Sequence, residues 1–365
     1  MRRQIHALTS LRFFAAFSVV LFHFRESFGQ NFNLGFTENF ISRGYIWVDF
    51  FFILSGFIIA YVYQEQFSRP SIQTYSRFLI NRISRIYPAH VFVLGLFLTW
   101  ESLTYMLVQF YGFSALPFDG CLSPATFATN MLMVHDWGGW FGNCSWNYPA
   151  WSISSEWLAY LLFPITLLVL KFSKKAVPAL LASITLYILF LTFALEDDLS
   201  LKSVSGIIRV LMEFSLGVLV FRIHLRLIHL ISSQVCNFMC LAAMVGAVLG
   251  LHFGFSDGLI LPFLGGIVLF TAIMKDGVMH RMLSARWLVF LGEASYSIYL
   301  IHAFDQRVWN SIAVRIFGET FSIGMTYFYF FTVMVGIIGS GVLVYIFVEK
   351  PSRRWIQKQW IKSYE

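Results

Sequence analysis

His23 and Arg12 are the residues from which chemistry can start in this sequence. Both fall inside an apolar run, roughly 8–24, where an ionisable side chain costs about 2.5–3.5 kcal/mol at the centre of a membrane helix. They are eleven residues apart. An α-helix brings such a pair to within about 20° of each other after three turns and separates it by about 16.5 Å along the axis. One helix stripe then carries a fixed cation at one end and a titratable imidazole at the other. A neighbouring carboxylate would make that imidazole a general base, by fixing its tautomer and stabilising its cation. Glu156, in WSISSEW, is the expected catalytic partner and Asp49, in VDFFFILSGF, a supporting one, because each begins its apolar run at the end where His23 lies and Glu156 sits deeper with the longer reach. Ser152, Glu156 and Tyr160 recur at four-residue steps as one polar stripe, so Ser152 and Tyr160 are read as supporting groups. At the opposite end Arg82 and Arg85, in NRISRIYP, share a helix face at the depth of Arg12. Converging guanidinium groups bind phosphate bidentately. Singly, each of these residues has a plainer explanation: a snorkelling Arg12, an interfacial His23, ordinary basic decoration at a helix end. Their alignment argues for chemistry.

The elements that must position them follow from composition. Of 365 residues, 58% are hydrophobic, 19% aromatic and only 12% charged. That is about half the charge fraction of a soluble domain, which points to an integral membrane protein and excludes disorder, collagen and disulfide-rich scaffolds. Ten apolar runs are long enough to span a bilayer: roughly 8–24, 45–63, 88–110, 151–170, 176–195, 204–222, 235–253, 258–274, 288–304 and 322–348. They lack the alternation of barrel strands, so the expected fold is all-α, with about ten transmembrane helices. Segment 120–135, holding Pro124 and Asn130, reads as interfacial or re-entrant. With the N-terminus inside, nineteen of the 26 Lys and Arg fall in inside segments. Five (Arg25, Arg43, Lys202, Arg307, Arg315) fall outside, and Arg12 and Arg209 lie within spans. This asymmetry places both termini in the cytoplasm of a multi-pass membrane protein. It also accounts for the net charge of +7 by topology, with no nucleic-acid partner required. No linker or repeat divides residues 1–365, which read as one transmembrane domain with a long outside loop, 111–150, and a short basic tail, 349–365.

Other polar groups read as structural. Arg209 and Glu213 are one turn apart and suit an intrahelical ion pair. Glu293 faces the inner half of its span, and Ser295, Tyr299 and His302 in SYSIYLIH share a stripe on which His302 reads as a packing or hydrogen-bonding residue. His90 either lines the inner cluster or sits at the interface. Cys236 and Cys240 read as small packing residues. Cys121 and Cys144, in the outside loop, either join as a disulfide or stay apart. Trp137, Trp140, Trp146 and Trp151 are either an aromatic belt at the membrane interface or flat faces for a ring-shaped substrate; Trp146 and Trp151 are taken as acceptor-binding candidates.

These motifs also carry a resemblance. LTSLRFFAAFSVVLFHF, VDFFFILSGF, NRISRIYP, WSISSEWLAYLL and SYSIYLIH, in this order from about residue 5 to 350, resemble the membrane acyltransferase-3 family. Each is weak alone, and five in order with the Arg12–His23 spacing are specific. The resemblance implies transfer of an acyl group, most often acetyl and in some cases succinyl, from cytoplasmic acyl-CoA to a hydroxyl of a cell-envelope or exported carbohydrate, with acyl-CoA as co-substrate and no metal. His23 matches the family's essential histidine, Arg12 its helix-one arginine, Arg82 and Arg85 its paired arginines, and Glu156 the glutamate of its tryptophan–serine motif. Two departures stand out. Leu-Thr-Ser-Leu-Arg replaces the common Leu-Asp-Gly-Leu-Arg, and Ser155 and Trp157 flank Glu156 where a second acidic residue is common. No hydrolase-like domain is appended. The competing reading is a proton-coupled transporter of a sugar or lipid-linked substrate, which buried His, Glu, Asp and Arg would also suit.

Overall fold

A computed structural model describes residues 4–25, 35–138, 145–172, 176–193, 204–317 and 323–362. Among them there is no strand, and the ten apolar runs each fall on a long helix: α1 (His6–Phe24), α2 (Trp47–Tyr63), α3 (Ile72–Tyr111), α4 (Trp151–Phe172), α5 (Ala176–Phe193), α6 (Val204–Leu227), α7 (Ser233–His252), α8 (Asp257–Ile273), α9 (Arg286–Phe317) and α10 (Ile323–Val344). Six stretches of helix, on α1, α2, α3, α7, α9 and the α10 segment, are long and apolar enough by themselves to cross a membrane. The protein is therefore a multi-pass membrane protein. Large apolar side chains on the outside of the bundle, such as Phe110, Phe238 and Phe331, are more than half exposed, as a lipid-facing surface requires.

Two of the expected boundaries move. The arginines of NRISRIYP lie inside a span-length helix and not ahead of one. α3 runs unbroken for 40 residues, capped by Ser71, whose hydroxyl accepts from the Thr74 N–H at 3.0 Å, and closed by Gly112 at φ +70°. Pro88 is accommodated within it. The last run is interrupted instead: α10 passes into a wider π turn, Tyr345–Glu349, before α11 (Lys350–Lys362) continues. Such turns re-aim side chains within an otherwise regular helix.

Backbone contacts between small residues set which helices meet. A Cβ on Gly56 of α2 would lie 2.0 Å from the Phe214 carbonyl oxygen, and one on Gly217 of α6 would lie 2.0 Å from that of Ile53. Helices α2 and α6 thus cross in direct backbone contact, the usual means of association where lipid and side chains are equally apolar. Gly292 of α9 makes the same approach to Thr9 of α1. The first crossing brings Asp49 to Arg209, and the second brings α9 alongside the helix that carries Arg12 and His23.

Candidate active site

The two ends of α1 sit in different surroundings. At the His23 end the imidazole ring lies 4.7 Å from the ring of Tyr148 and 5.2 Å from that of His302, centroid to centroid. Gln306, one turn beyond His302 on α9, donates to the His23 carbonyl oxygen at 2.9 Å and accepts from the Tyr148 hydroxyl at 2.8 Å. His302 is fully buried; its Nδ1 is 2.5 Å from the Tyr299 carbonyl oxygen and donates to it, which leaves Nε2 as the lone-pair nitrogen, buried and without a hydrogen-bond partner. Tyr299 donates to the Pro149 carbonyl oxygen at 2.9 Å and also meets the Ser152 hydroxyl at 2.9 Å. Ser152 therefore stands at this end through Tyr299, as its stripe suggests.

The carboxylates go elsewhere. Asp49 is fully buried and bound by Arg209, whose Nε and Nη2 donate to its two oxygens at 2.5 and 2.7 Å. The ion pair expected between Arg209 and Glu213 is present at 3.8 Å, but it is the lesser contact; Glu213 also accepts from Tyr187 at 2.9 Å. Asp49 does not support His23, because a bidentate guanidinium on the crossing helix has claimed both its oxygens. Glu156 turns towards the other end. It accepts from Tyr160 at 2.5 Å, Tyr160 meets Ser55 at 3.1 Å, and Glu156 lies within electrostatic reach of Arg12. Tyr160 stays with Glu156 and does not reach the His23 end. Shared depth had suggested a His23–carboxylate pair; the lateral arrangement of the helices does not make one with either residue.

At the Arg12 end, Arg82 and Arg85 do share the neighbourhood of Arg12, as expected from their depth. Arg82 lies over the rings of Tyr63 and Tyr160, at 5.4 and 6.0 Å, and makes one long bond, 3.4 Å, to the Tyr63 hydroxyl; its Nε is buried without a partner. Two residues missed in the sequence complete the cluster. Glu349, placed by the π turn, accepts from Ser297 at 2.6 Å and faces Arg85, Arg12 and Arg353. Arg353, beyond the last apolar run, stands within electrostatic reach of Arg85, Arg82 and Glu349. The acid at the end of an apolar run, four residues before an arginine, was the signal for this pair.

The tryptophans differ: Trp146, though buried, lines a cavity beside Tyr148, and the other described ones are engaged elsewhere. Trp146 is buried; its ring N–H donates to the Ser123 carbonyl oxygen at 3.1 Å and to Thr126 at 3.0 Å, and Phe127 packs edge-on at 4.9 Å. Trp151 has the Arg209 guanidinium over its ring at 5.5 Å. Trp137 donates to the Ser154 carbonyl oxygen, and Trp140 lies outside the described residues. Of the cysteines, Cys121 is disulfide-bonded, Cys236 and Cys240 are free and buried, and Cys144 lies outside the described residues. His90 lines neither cluster: its Nε2 meets the Asn130 carbonyl oxygen at 2.8 Å, within the wall formed by the short helix Pro124–Met131.

Basic groups crowded at one end of a helix and an imidazole at the other make a two-ended site, and comparison with known proteins gives it a class. The acyltransferase domain of the acyltransferase-3 family matches residues 5–349. The chain belongs to this family. It is similar to acyltransferase MdmB of Streptomyces mycarofaciens, 29% identical over 175 residues, which are 44% of this chain and 39% of that protein. It is also similar to the Bacillus subtilis (strain 168) protein named "Putative peptidoglycan O-acetyltransferase YrhL", 28% identical over 188 residues, 51% of this chain and 27% of that protein. The chain thus spans well under half the length of these relatives. No solved structure matches it. The family match runs from ahead of Arg12 to Glu349, so both clusters lie within it.

Proposed function

We propose that this acyltransferase takes an acyl group, acetyl or succinyl, from cytoplasmic acyl-CoA and passes it to a hydroxyl of a cell-envelope or exported carbohydrate, at the inner membrane. The observation that carries the reading is the unfinished electrostatics of the Arg12 end. Arg12, Arg82, Arg85 and Arg353 gather about Glu349 and Glu156, and a buried guanidinium nitrogen of Arg82 has no partner among the described residues. Surplus, under-bonded guanidinium groups suit the phosphates of a CoA. The positive-inside distribution of Lys and Arg supports a cytoplasmic position for this end, where acyl-CoA is found. The pantetheine arm is an extended chain, and the rise of about 16.5 Å between Arg12 and His23 is of the order it would span. The name of the Bacillus relative, a peptidoglycan O-acetyltransferase, supports a carbohydrate acceptor and an acetyl group.

The transfer is a balanced exchange. His23 takes the proton of the acceptor hydroxyl, the freed oxygen attacks the thioester carbonyl, and the tetrahedral intermediate expels CoA thiolate, which recovers the proton from the imidazolium. One ester bond forms and one thioester bond breaks. Tyr148, His302 and the Gln306 amide hold the His23 ring and its backbone. Glu156 and Tyr160 belong to the donor end in this mechanism. Purified protein given acyl-CoA and an acceptor should release free CoA thiol in step with ester formation. Movement of the acceptor across a sealed vesicle with no thioester consumed would instead identify a transporter.

A further inference from the structure

Beside His23 lies a cavity of about 600 Å³, within the range of roughly 300–1,000 Å³ occupied by small-molecule sites. One wall is a stripe of α9 at three- and four-residue steps: Ala303, Gln306, Arg307, Asn310 and Ser311. Tyr148 closes the side nearest the imidazole. Gln306 and Tyr148 therefore have two surfaces each, one lining the cavity and one holding His23. A hydroxyl of any molecule seated there would lie one residue away from the base.

The lining indicates the class of that molecule. Tyr148 is about a third exposed and offers an aromatic face, and neutral hydrogen-bonding side chains surround it. Apolar ring faces edged by hydroxyls match such a surface. Charge narrows the class further. The Arg307 charge is balanced by Glu101, to which it donates at 2.5 Å, and its guanidinium covers the Phe97 ring at 5.6 Å. Asp119, at the exposed rim, has no ion pair among the described residues. The fixed charge of the described wall is thus neutral to negative, and an anionic guest would meet Asp119 with no free cation to offset it.

We propose that this cavity is the acceptor subsite and that it takes an uncharged saccharide of more than one ring, discriminating against acidic sugars. The proposal rests on the acyl-transfer reading for the word acceptor but not for binding, so its test leaves out acyl-CoA. Full-length protein in lipid nanodiscs is titrated with cellobiose and with its uronic-acid analogue, cellobiouronic acid, by calorimetry. The neutral disaccharide should bind at least about ten times more tightly. Ser311→Trp, which fills the cavity from α9, should lose that binding. Asp119→Lys, at an exposed position that folding does not depend on, should narrow the difference between the two sugars. Equal or tighter binding of the acidic disaccharide by the unaltered protein, no binding of either, or full binding by Ser311→Trp would each overturn the assignment. A protein that binds cellobiose as described but never releases CoA would keep the saccharide site and remove the acyl-transfer reading.

Discussion

Two groups of arginine lie within this bundle, Arg209 buried and the Arg12 group half-buried, and among the described residues only the first is fully partnered. Arg209 has a bidentate carboxylate, Asp49, a second carboxylate, Glu213, at 3.8 Å, and the ring of Trp151 against its face. Arg12, Arg82 and Arg85 have each other, Arg353, and two carboxylates already engaged by Ser297 and Tyr160. The residue type is the same, though Arg209 is buried and the Arg12 group is half-buried. The difference is whether the fold supplies the partner. A satisfied buried guanidinium holds helices together, whereas a crowded and under-bonded one is stabilised by something that arrives later.

The contrast is broken most severely at the complete site. Arg209→Ala leaves Asp49 buried and unpaired, which should cost about 3–5 kcal/mol and remove most of the folded protein, read as the yield of the monodisperse species. The double change Arg209→Met with Asp49→Leu should recover much of that yield, because no charge is then left alone. At the incomplete site, Arg82→Ala with Arg85→Ala should leave folding intact and raise the KM for acyl-CoA at least about 10- to 100-fold, the loss of one charge-assisted contact at about 1.5–3 kcal/mol, and more if both contribute. An unchanged KM would show that these arginines serve topology alone. Glu156→Gln should act at the same end with the opposite sign: one negative charge fewer near the donor phosphates should lower that KM a few-fold, more at low salt, with little change in turnover. A large loss of turnover with unchanged KM would return Glu156 to the His23 end.

The smallest effect concerns a carboxyl at neither cluster. Asp136 follows the short helix Pro124–Met131, accepts a hydrogen bond from Ser155, and is pushed up to about 6 by burial. Its folded value lies above its unfolded one, so the native state holds the proton more tightly. Stability is then lost as pH rises from the ordinary carboxylate range through about 6. Asp136→Asn keeps an acceptor for Ser155 and should remove that decline. The melting temperatures of the two proteins should coincide at low pH, diverge as pH rises from the ordinary carboxylate range, and differ most above about pH 6, with the variant higher.

What the sequence could reveal was position along helices; what it could not reveal was who stands beside whom. The helices, the Arg12–His23 stripe and the gathering of Arg82 and Arg85 near Arg12 are consequences of periodicity and depth, and they were legible. Asp49 and His23 share a depth too, but backbone contact at Gly56 and Gly217 sends Asp49 to Arg209, and nothing in either helix alone announces that crossing. Glu156 was read by the end at which its helix begins, while its side chain bonds one turn deeper, to Tyr160. His302 looked like packing because a histidine on an apolar stripe usually is. The polar residue one turn later, Gln306, was the unused signal that the stripe leads somewhere. Trp146 and Trp151 were judged by type: the Trp146 N–H is bonded within the fold while the residue still lines the cavity beside Tyr148, and the Trp151 ring is covered by Arg209.

The central claim is that the two ends of α1 divide the work: cations at one end hold the donor, and the imidazole at the other moves the proton. Steady-state CoA release by His23→Ala, measured across acyl-CoA concentrations at saturating acceptor, tests it most directly. The account predicts a turnover lower by about 10²–10⁴-fold with the KM for acyl-CoA unchanged and the melting temperature unmoved. Retention of more than about a tenth of the turnover, or a loss confined to donor KM, would contradict it.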